Sequence, residues 1–355
     1  MSSETNAVIA SEARRYRGHC TGFGSLGRFA PRDDGVWCAV VIGLLLLFAA
    51  PAAHAQTWPD RPIRLIVPFP PGGVADTIAR PIAERLSRSL GQPVVVESRG
   101  GATGTLGAAF VAHAAPDGLT LLLGTTNEIA MSPTLYRSLP YDPTKAFAPV
   151  TPVAVFPNVL VVGMDVPVAS LSDLIALARA KPGTLTFASS GVGSTNHLSA
   201  ELFQRQADIK VLHVPYRGGG PALVDVMSGQ VTAMFATLPS AMSLIKGGKL
   251  RALAVTGEHR TDALPDVPTA KETGLTGLVV TTWNGVLAPA GTPKDVVERL
   301  HQALAAAVAD PALKQAFAAL GAETELISPA AFSARIAADF ALWSGVIRQA
   351  GISAE

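Results

Sequence analysis

The chain has 355 residues, of which 48% are hydrophobic and 15% are charged, so it holds enough apolar material for two ordinary domains with substantial cores. Its formal net charge of +1 provides no basic field that would attract nucleic acid or a membrane surface. These numbers exclude a disordered chain and favour a small or neutral partner.

The first 55 residues differ in pattern from the rest of the chain. Two arginines precede the apolar run VWCAVVIGLLLLFAAPAAHA, which ends in the small-x-small triplet AHA. The densest part of this run is shorter than the ~20 residues that cross a bilayer, so a cleaved export signal is favoured over a retained membrane anchor. We therefore predict a signal peptide with an N-terminal extension over 1–55, cleavage after Ala55, and a periplasmic protein that starts at Gln56.

Both cysteines, Cys20 and Cys38, lie in this removed part. The mature protein then has no disulfide and no thiolate that would act as a nucleophile or bind a metal. Residues 1–55 hold five of the 28 lysines and arginines and four of the 27 acidic residues, so 23 charges of each sign remain. The mature chain is formally neutral, and core packing must hold its fold.

From Arg61 onward a short β-branched run, a turn rich in Gly, Ser or Thr, and a segment of helical periodicity follow one another repeatedly. The first unit is IRLIVPF, then PPGGVAD, then a helix in which Ile78, Ile82, Leu86 and Leu90 recur every four residues. The next two units are PVVVES with RGGATGTLG and AAFVAHAA, and LTLLLG with TTNE and IAMSPTLY.

A link punctuated by prolines, LPYDPTKAFAPVTPVAVFPN, separates these units from the later ones. Here LTFAS leads through SGVGSTN into HLSAELFQRQA, IKVLHV through PYRGGGP into ALVDVMSGQ, and VTAMFA through TLPS into AMSLIKGG, while KLRALAVT is a further strand. Strands that alternate with helices over short turns predict parallel sheets covered on both faces, so the fold class is α/β. The tail is helical, with Pro293 and Pro311 near the first positions of two helices.

The turns after these strands are suited to hold an anion. In a parallel sheet each strand's carboxyl end delivers the N-terminus of the next helix, whose free N–H groups and dipole favour negative charge. Glycines recur at these turns and let a ligand approach the backbone closely. At any single turn the glycines are also explained as closing a short loop, but several such turns in one crevice predict a carboxylate-sized site.

Other kinds of site lack their sequence patterns. The stretch GGATGTLG has neither the dinucleotide spacing nor that of a P-loop, and GVGST is not a G-x-S-x-G elbow. The histidines of the mature chain show no metal-ligand spacing. We therefore expect no metal, no cofactor and no enzyme activity.

Seven stretches of the mature chain point to one family. They are WPDRPIRLIVPFPPGGVADTIAR, LGQPVVVESRGGATGTLGA, SGVGSTNHLSAELF, VPYRGGGPALVDVMSGQV, LPSAMSLIKGGKLRALAVT, ALPDVPTAKETGL and WNGVLAPAGTP. In order and spacing they closely resemble the substrate-binding receptors of tripartite tricarboxylate transporters, the Bug-type family. The resemblance implies a two-domain, type II-like Venus-flytrap periplasmic-binding-protein fold, whose chain crosses between domains near Val155 and Thr281. The implied domains are 56–155 plus 281–355, and 156–280.

The resemblance also implies a function. Such a receptor closes on a small organic carboxylate, binds it reversibly without a cofactor, and delivers it to the membrane permease of a tripartite transporter. A receptor that reports to a membrane sensor is the alternative, and an enzyme acting on a carboxylate is a more distant one. We expect a monomer that binds no nucleic acid. Ala236 stands where many relatives carry an acidic residue, which leaves the identity of the ligand open.

The family's main ligand loop follows the first strand and here spans Phe69 to Asp76. It would present the backbone N–H groups of Gly73, Val74 and Ala75, and the prolines at positions 68, 70 and 71 stiffen it so that binding loses less entropy. A carboxylate held by backbone dipoles needs no lysine or arginine, which explains the lack of basic residues in this turn. Asp76 either accepts from a ligand donor or braces the loop as a helix cap.

Further candidates lie on the other turns. The threonines of TTNE either donate to the ligand or cap the next segment, and the hydroxyls of SGVGSTN are expected to contact the ligand. The histidine of that turn either meets the ligand or orients the loop, and the tyrosine of PYRGGGP offers its ring and its hydroxyl. These candidates are Thr125, Thr126, Ser190, Ser194, Thr195, His197, Tyr216 and Thr237.

Overall fold

The computed structural model describes residues 58–354, which belong to one compact unit. The predicted signal peptide and its cleavage position therefore lie outside the described residues.

The strands of the described part form a single sheet. Its order is β2-β1-β3-β9-β4-β7-β5-β6, and β8 also pairs with β4. The strands are β1 (Ile63–Val67), β2 (Val94–Ser98), β3 (Thr120–Thr125), β4 (Phe147–Gly163), β5 (Thr186–Ser189), β6 (Leu212–Pro215), β7 (Ala233–Thr237), β8 (Leu250–Val255) and β9 (Thr281–Pro289).

Helices cover both faces of this sheet. They are α1 (Val74–Leu90), α2 (Thr105–Ala112), α3 (Ser132–Leu135), α4 (Leu171–Ala180), α5 (Thr195–Ala207), α6 (Gly219–Met227), α7 (Leu238–Lys246), α8 (Lys294–Ala309), α9 (Pro311–Ala319) and α10 (Pro329–Ala350). A 3-10 turn at Ala102–Gly104 precedes α2, and a π-helical turn at Asn127–Met131 precedes α3. The segment predicted as a helix after β3 is thus a π turn followed by one short helix.

The sheet is mixed, and the parallel prediction holds for part of it. Strands β1, β2 and β3 are parallel, as are β5, β6 and β7. The expectation is wrong for β4, β8 and β9, because β9 runs antiparallel to β3 and β4, and β4 runs antiparallel to β7 and β8. The α/β class is confirmed, with antiparallel strands at the centre of the sheet.

Strand β4 corrects the prediction of a proline-rich link, because that segment from Phe147 onward belongs to a single strand of 17 residues. Its pairing with β9 shifts register at Pro149–Thr151 and again at Pro152–Ala154. A proline has no N–H for the ladder and is accommodated at such irregularities. Pro157 makes the last pair with β9, and Asn158 makes the first pair with β7. One strand therefore serves both halves of the sheet.

The core of the first half forms as the helical pattern predicts. Ile78, Ile82 and Leu86 of α1 have no exposed surface and pack in one cluster with Leu65 and Leu121 of the sheet. Burying each such side chain contributes roughly 1.5–3 kcal/mol. The amphipathic face of α1 thereby fixes the direction in which its N-terminus points.

Helix α10 packs against both halves of the sheet. Its Phe332 contacts Trp283 of β9 edge to face, with ring centroids 5.0 Å apart. Near its other end, Trp343 and Ile347 belong to the same core cluster as Phe187 of β5. By length and composition alone α10 would be able to cross a membrane. Its Phe332 and Trp343 are buried against the protein.

Candidate functional site

The carboxyl ends of strands from the two halves face each other across the middle of β4. Thr125, which ends β3, pairs with Asn284, and Asn284 pairs with Ala154 of β4. Thr237, which ends β7, pairs with Asn158 of the same strand. Ala154 and Asn158 are four residues apart, which is about 13 Å along a strand. The sheet therefore brings the turns after β1 and β3 toward the turns after β5 and β7, and these turns carry the candidate residues.

The N-terminus of α1 is open toward this region. Its N-cap is Gly73, and no described side chain accepts a hydrogen bond from the first turn of the helix as a cap. The first N–H groups of a helix have no partner within it. Val74 and Ala75 thus carry donors that the helix itself does not use, and Phe69 lies half-buried beside them.

Asp76 braces the loop. Its Oδ2 accepts from Gly72 N at 3.0 Å and from Arg80 Nε at 2.9 Å, and its Oδ1 accepts from Arg80 Nη2 at 2.9 Å. Burial alone raises the pKa of Asp76, but the hydrogen bonds from Arg80 and Gly72 lower it below its ordinary value. The carboxylate is already engaged on both oxygens, which is the bracing role that the sequence left open.

The donors of Thr125 are taken by a buried carboxyl group. Glu128 Oε1 accepts from the Thr125 backbone N–H, and Oε2 accepts from the Thr125 hydroxyl at 2.5 Å. Glu128 has no exposed surface, and burial raises its pKa to about 7. Thr126 is also fully buried, and its hydroxyl accepts from Trp283 N at 3.3 Å. Both threonine side chains therefore serve the protein itself.

The turn before α2 closes over Glu128. Gly101, Ala102, Thr103 and Gly104 all have positive φ angles, of 133°, 45°, 53° and 94°. A Cβ on Gly104 would lie 3.0 Å from Glu128 Oε2 and 3.3 Å from the Phe69 ring, so the turn packs closely against both side chains. Non-glycine residues in this conformation are strained, and such strain persists only where the surroundings impose it.

In the second half, two serine hydroxyls hold the turn before α5 in shape. Ser194 caps α5: its hydroxyl accepts from His197 N at 3.4 Å and donates to Gly191 O at 2.7 Å. The Ser190 hydroxyl donates to Asn196 Oδ1 at 2.5 Å. The side chains of Ser190 and Ser194 are thus engaged within the loop.

Thr195, the first residue of α5, differs from these serines. Its hydroxyl makes no hydrogen bond to another described residue, although its carbonyl accepts from Ser199 Oγ at 2.7 Å. The same carbonyl accepts from Asn158 Nδ2 of the shared strand at 3.3 Å. Among the second-half hydroxyls on this turn, that of Thr195 is therefore free to bind a ligand.

His197 orients the loop from behind. Its Nδ1 accepts from Gly193 N at 3.1 Å, and its Nε2 lies 3.6 Å from Glu201 Oε1. The ring stacks on that of His213 with centroids 3.7 Å apart and planes within 9°. Burial and the neighbouring His197 lower the pKa of His213 to about 4, so the stack contains a neutral ring at physiological pH.

Tyr216 and Thr237 complete the second-half candidates. The Tyr216 hydroxyl donates to Asp225 Oδ2 at 2.5 Å, and this bond raises the pKa of Tyr216 to about 12. The Thr237 hydroxyl donates to Ser240 Oγ at 2.9 Å at the start of α7. Because its hydroxyl proton is engaged by Asp225, Tyr216 can contact a ligand with its ring.

Several buried polar atoms near the shared strand have no hydrogen-bond partner among the described residues. They include Asn127 Oδ1, Asn158 Oδ1, Thr282 Oγ1 and Asn284 Oδ1. An unsatisfied buried polar atom costs free energy, so a polar ligand or an ordered water is its natural partner. Such atoms concentrate on the two strands that join the halves, where the opposing turns meet.

The chemistry available here is that of binding. Donors come from helix N-termini and the Thr195 hydroxyl, and acceptors come from the unpaired amide oxygens. In the part of the chain that the structure describes, no group of three or more His, Cys, Asp or Glu residues is placed to hold a metal ion. The arrangement suits a small anion that also carries hydrogen-bonding groups.

Sequence reasoning missed Glu128, His213 and the crossing asparagines. Glu128 had a visible signal, because it is an acidic residue between TTN and the apolar run IAM, directly after a buried strand. The signal for Asn158 and Asn284 is weaker: each is a lone amide in an apolar strand.

The comparisons with known proteins agree on one family. The family model described as "Tripartite tricarboxylate transporter family receptor" matches residues 78–352. Protein BugT of Bordetella pertussis is 40% identical over 314 residues, which cover 88% of this chain and 96% of BugT.

Among solved structures, the R. palustris protein Rpa4515 with adipate aligns with a TM-score of 0.79 at 38% identity and covers 83% of this chain and 99% of its own. MatC from Rhodopseudomonas palustris with bound malate aligns with a TM-score of 0.75 at 34% identity, covering 82% of this chain and all of its own. The periplasmic binding protein BugD aligns at 0.77 with 34% identity, over 83% of this chain and 99% of BugD. The two-domain flytrap architecture expected from the sequence agrees with these neighbours.

Proposed function

We propose that this chain, which belongs to the tripartite tricarboxylate transporter receptor family, is an exported receptor that reversibly binds a small organic carboxylate. The family consists of solute receptors and not of enzymes, and the site described above offers binding groups rather than a catalytic set. The proposal extends to delivery of the ligand to a membrane permease by a monomeric receptor.

The two sheet halves are the two lobes of the receptor in this proposal, with limits at 56–155 plus 281–355 and at 156–280. The chain passes between lobes where β4 changes partner, at Pro157 and Asn158, and again where β9 begins at Thr281. Thr256 ties these passages together: its hydroxyl donates to Val280 O at 2.6 Å, and its N–H donates to Asn158 O at 2.8 Å. Such a joint permits the lobes to close on a ligand.

One observation carries the proposal: the N-terminus of α1 has no side-chain cap, and β1 and β5, which α1 and α5 follow, lie on opposite sides of the strands that join the two halves. Donors aimed from both lobes at one space favour an anion small enough to touch both. That two structural neighbours hold adipate and malate supports a carboxylate as that anion.

A thermal-shift screen tests the binding function. Mono-, di- and tricarboxylates, including adipate and malate, are added to the mature protein, with amino acids and aromatic acids alongside. At about 100 times its dissociation constant a true ligand adds roughly 2.7 kcal/mol of stability. A broad panel in which no acid raises the melting temperature would remove the carboxylate proposal.

Processing and transport have their own tests. Mass spectrometry of periplasmic material should find a chain that starts at Gln56 and contains no cysteine, whereas an intact chain in the membrane would contradict export.

Uptake of the ligand found in the screen should fall when the receptor is deleted. Unchanged uptake would separate a sensing role from transport.

A further inference from the structure

Glu128 is a buried carboxyl group at the edge of the proposed cleft that no part of the binding scheme yet uses. It has no exposed surface and accepts hydrogen bonds from the backbone N–H and the hydroxyl of Thr125, at the carboxyl end of β3. Its Oε2 and the tip of the Phe69 ring both lie against the side of Gly104 where a Cβ would stand. Glu128 thus adjoins the main ligand loop at Phe69.

This carboxyl group occupies the place that the sequence assigned to the ligand. The two donors of Thr125 are the natural contacts for an anion at the end of β3, and Glu128 takes both of them. Only neutral donors bond to its carboxyl group, so no hydrogen-bonded cation compensates its charge. A ligand anion in the adjacent cleft therefore meets a second negative charge whenever Glu128 is ionised.

The other titratable groups around Glu128 are few. The Tyr141 hydroxyl donates to the backbone oxygen of Glu128 at 2.8 Å, and burial raises the pKa of Tyr141, so it remains neutral. On α10, which packs against the π turn, Asp339 accepts from Trp283 Nε1 at 2.8 Å and lies 3.9 Å from Arg335 Nε. On α1, Asp76 is paired with Arg80. Tyr136, which follows α3, places its hydroxyl 3.4 Å from Thr103 Oγ1 of the turn that adjoins Glu128.

We propose that Glu128 makes ligand binding depend on pH, so that the cleft holds a ligand carboxylate tightly only while the Glu128 carboxyl group is protonated. The inference rests on the proposed function, because it presumes that an anion binds between the lobes. Its geometric basis is that Glu128 lies beside Gly104 and Phe69 of the ligand loop and has no exposed surface, so that like charges repel there over several ångströms.

The direction of the effect follows from linkage. The free protein loses the Glu128 proton as the pH rises through about 7, whereas a bound anion raises the pKa further and keeps the proton in place. Binding should therefore take up a proton near neutral pH and weaken as the pH rises from 6 to 8.5. Each unit by which the anion raises this pKa corresponds to about a tenfold loss of affinity. Ordinary carboxylic acids stay ionised over this range.

The experiment has a ligand-free and a ligand-bound arm. Carbon-13 NMR of labelled carboxyl groups, assigned with Glu128→Gln, follows the titration of Glu128 in the free protein. Isothermal titration calorimetry with adipate and with malate, at pH 6 and pH 8.5 and in buffers of different ionisation enthalpy, measures affinity and proton uptake. If neither acid binds, the tightest acid of the thermal-shift panel takes their place.

Wild type should lose about tenfold in affinity between pH 6 and pH 8.5 and take up a proton near pH 7. Glu128→Gln keeps both Thr125 contacts, because its amide oxygen accepts from the backbone N–H and its amide nitrogen donates to the hydroxyl oxygen. This variant should bind the ligand with little pH dependence. Glu298→Gln makes the same charge change at an exposed position of α8 and should behave as wild type.

The outcomes separate the two proposals. Binding with the same pH dependence in wild type and Glu128→Gln overturns the inference and leaves the receptor function intact. A Glu128 titration near its ordinary value overturns the inference without any ligand. If no acid binds, the receptor function fails and the inference fails with it. Should Glu128→Gln not fold, absence of proton uptake by the wild type still overturns the inference.

Discussion

Variants of Thr195 give the most direct test of the proposal that an anion binds in the cleft. It is 2% exposed and begins α5, and its hydroxyl has no partner among the described residues. Thr195→Val removes only that hydroxyl, so we expect a loss of roughly 1 kcal/mol, or about fivefold in affinity. Thr195→Asp places a fixed negative charge beside the ligand and should weaken binding by several kcal/mol at most.

Calorimetric titration of both Thr195 variants with the acid found in the screen measures this difference. Each variant must first melt like the parent protein, so that lost binding is not lost folding. Equal affinities for the valine and aspartate variants would show that the anion does not contact this turn.

His213 makes the stability of the receptor depend on pH. Its pKa is about 4 in the folded protein against 6.5 for an ordinary histidine, so the unfolded chain binds more protons between these values. The stabilisation is complete above pH 6.5 and is lost as the pH falls toward 4, by about 3 kcal/mol at most.

His213→Phe keeps a ring against His197 but does not titrate. It loses the 2.7 Å contact with Ser189 Oγ, which costs about 1 kcal/mol at pH 7. Urea unfolding at pH 7, 6, 5 and 4 should show the variant gaining on wild type as the pH falls. The exposed His113→Gln serves as the control, and parallel curves for wild type and His213→Phe would refute the buried neutral ring.

At the scale of elements, the turn between β5 and α5 depends on Gly193. Its φ angle is +73°, and a Cβ there would lie 2.2 Å from Leu135 Cδ1 of α3. Gly193→Ala should therefore cost about 1–2 kcal/mol for the backbone conformation and a further 1–3 kcal/mol for the collision. Gly183→Ala is a matched control, since φ is +72° with no atom within 4 Å.

Thermal unfolding of the two alanine variants gives the comparison. Gly183→Ala should show only the backbone cost, and Gly193→Ala should show more and should also bind ligand less well. If the two variants lose the same stability, the contact between this turn and α3 is not as close as described.

Elements with local signals were predictable from the sequence. The periodicity of α1 and the short apolar runs of β1, β3 and β7 define those units without reference to distant residues. Strand β4 was not recognised because its prolines resemble those of a link. The register shifts at Pro149 and Pro152, and the place of Pro157 at the last pair, depend on β9. The antiparallel pairing of β9 was also not predictable from local sequence, because its partner β3 lies more than 150 residues earlier in the chain.

In the candidate site too, features with a local sequence signal were predictable and features that depend on folding were not. Backbone donors at Gly73, Val74 and Ala75 follow from a turn that precedes a helix, and such a turn is visible in the sequence. That Thr125 is occupied by Glu128 is not visible, because it depends on how a π turn folds back on the strand before it. Hydroxyl-rich turns indicate where a ligand binds, but they do not show which hydroxyls the loop itself uses.

At the scale of the whole molecule, the proposed lobes should close on the ligand. The passages at Pro157–Asn158 and Thr281 are the places where such a motion would turn, and closure would bring α1 and α5 together. Small-angle X-ray scattering of the mature protein should show a smaller radius of gyration at saturation. An unchanged radius, with binding confirmed by calorimetry, would count against closure unless the free protein is already closed.

The position of β9 also determines the order in which the molecule is completed. Strand β9 lies between β3 and β4, although it follows both of them in the chain by more than 100 residues. As the chain emerges during synthesis or export, β3 and the first part of β4 have no neighbour between them until residues 281–289 arrive. The pairs that β4 makes with β7 and β8 need only the chain up to residue 255. Contacts between distant residues form late because closing a long loop costs entropy before the contact stabilises it. The second half of the sheet can therefore pair its strands first, and the cleft is finished when β9 inserts.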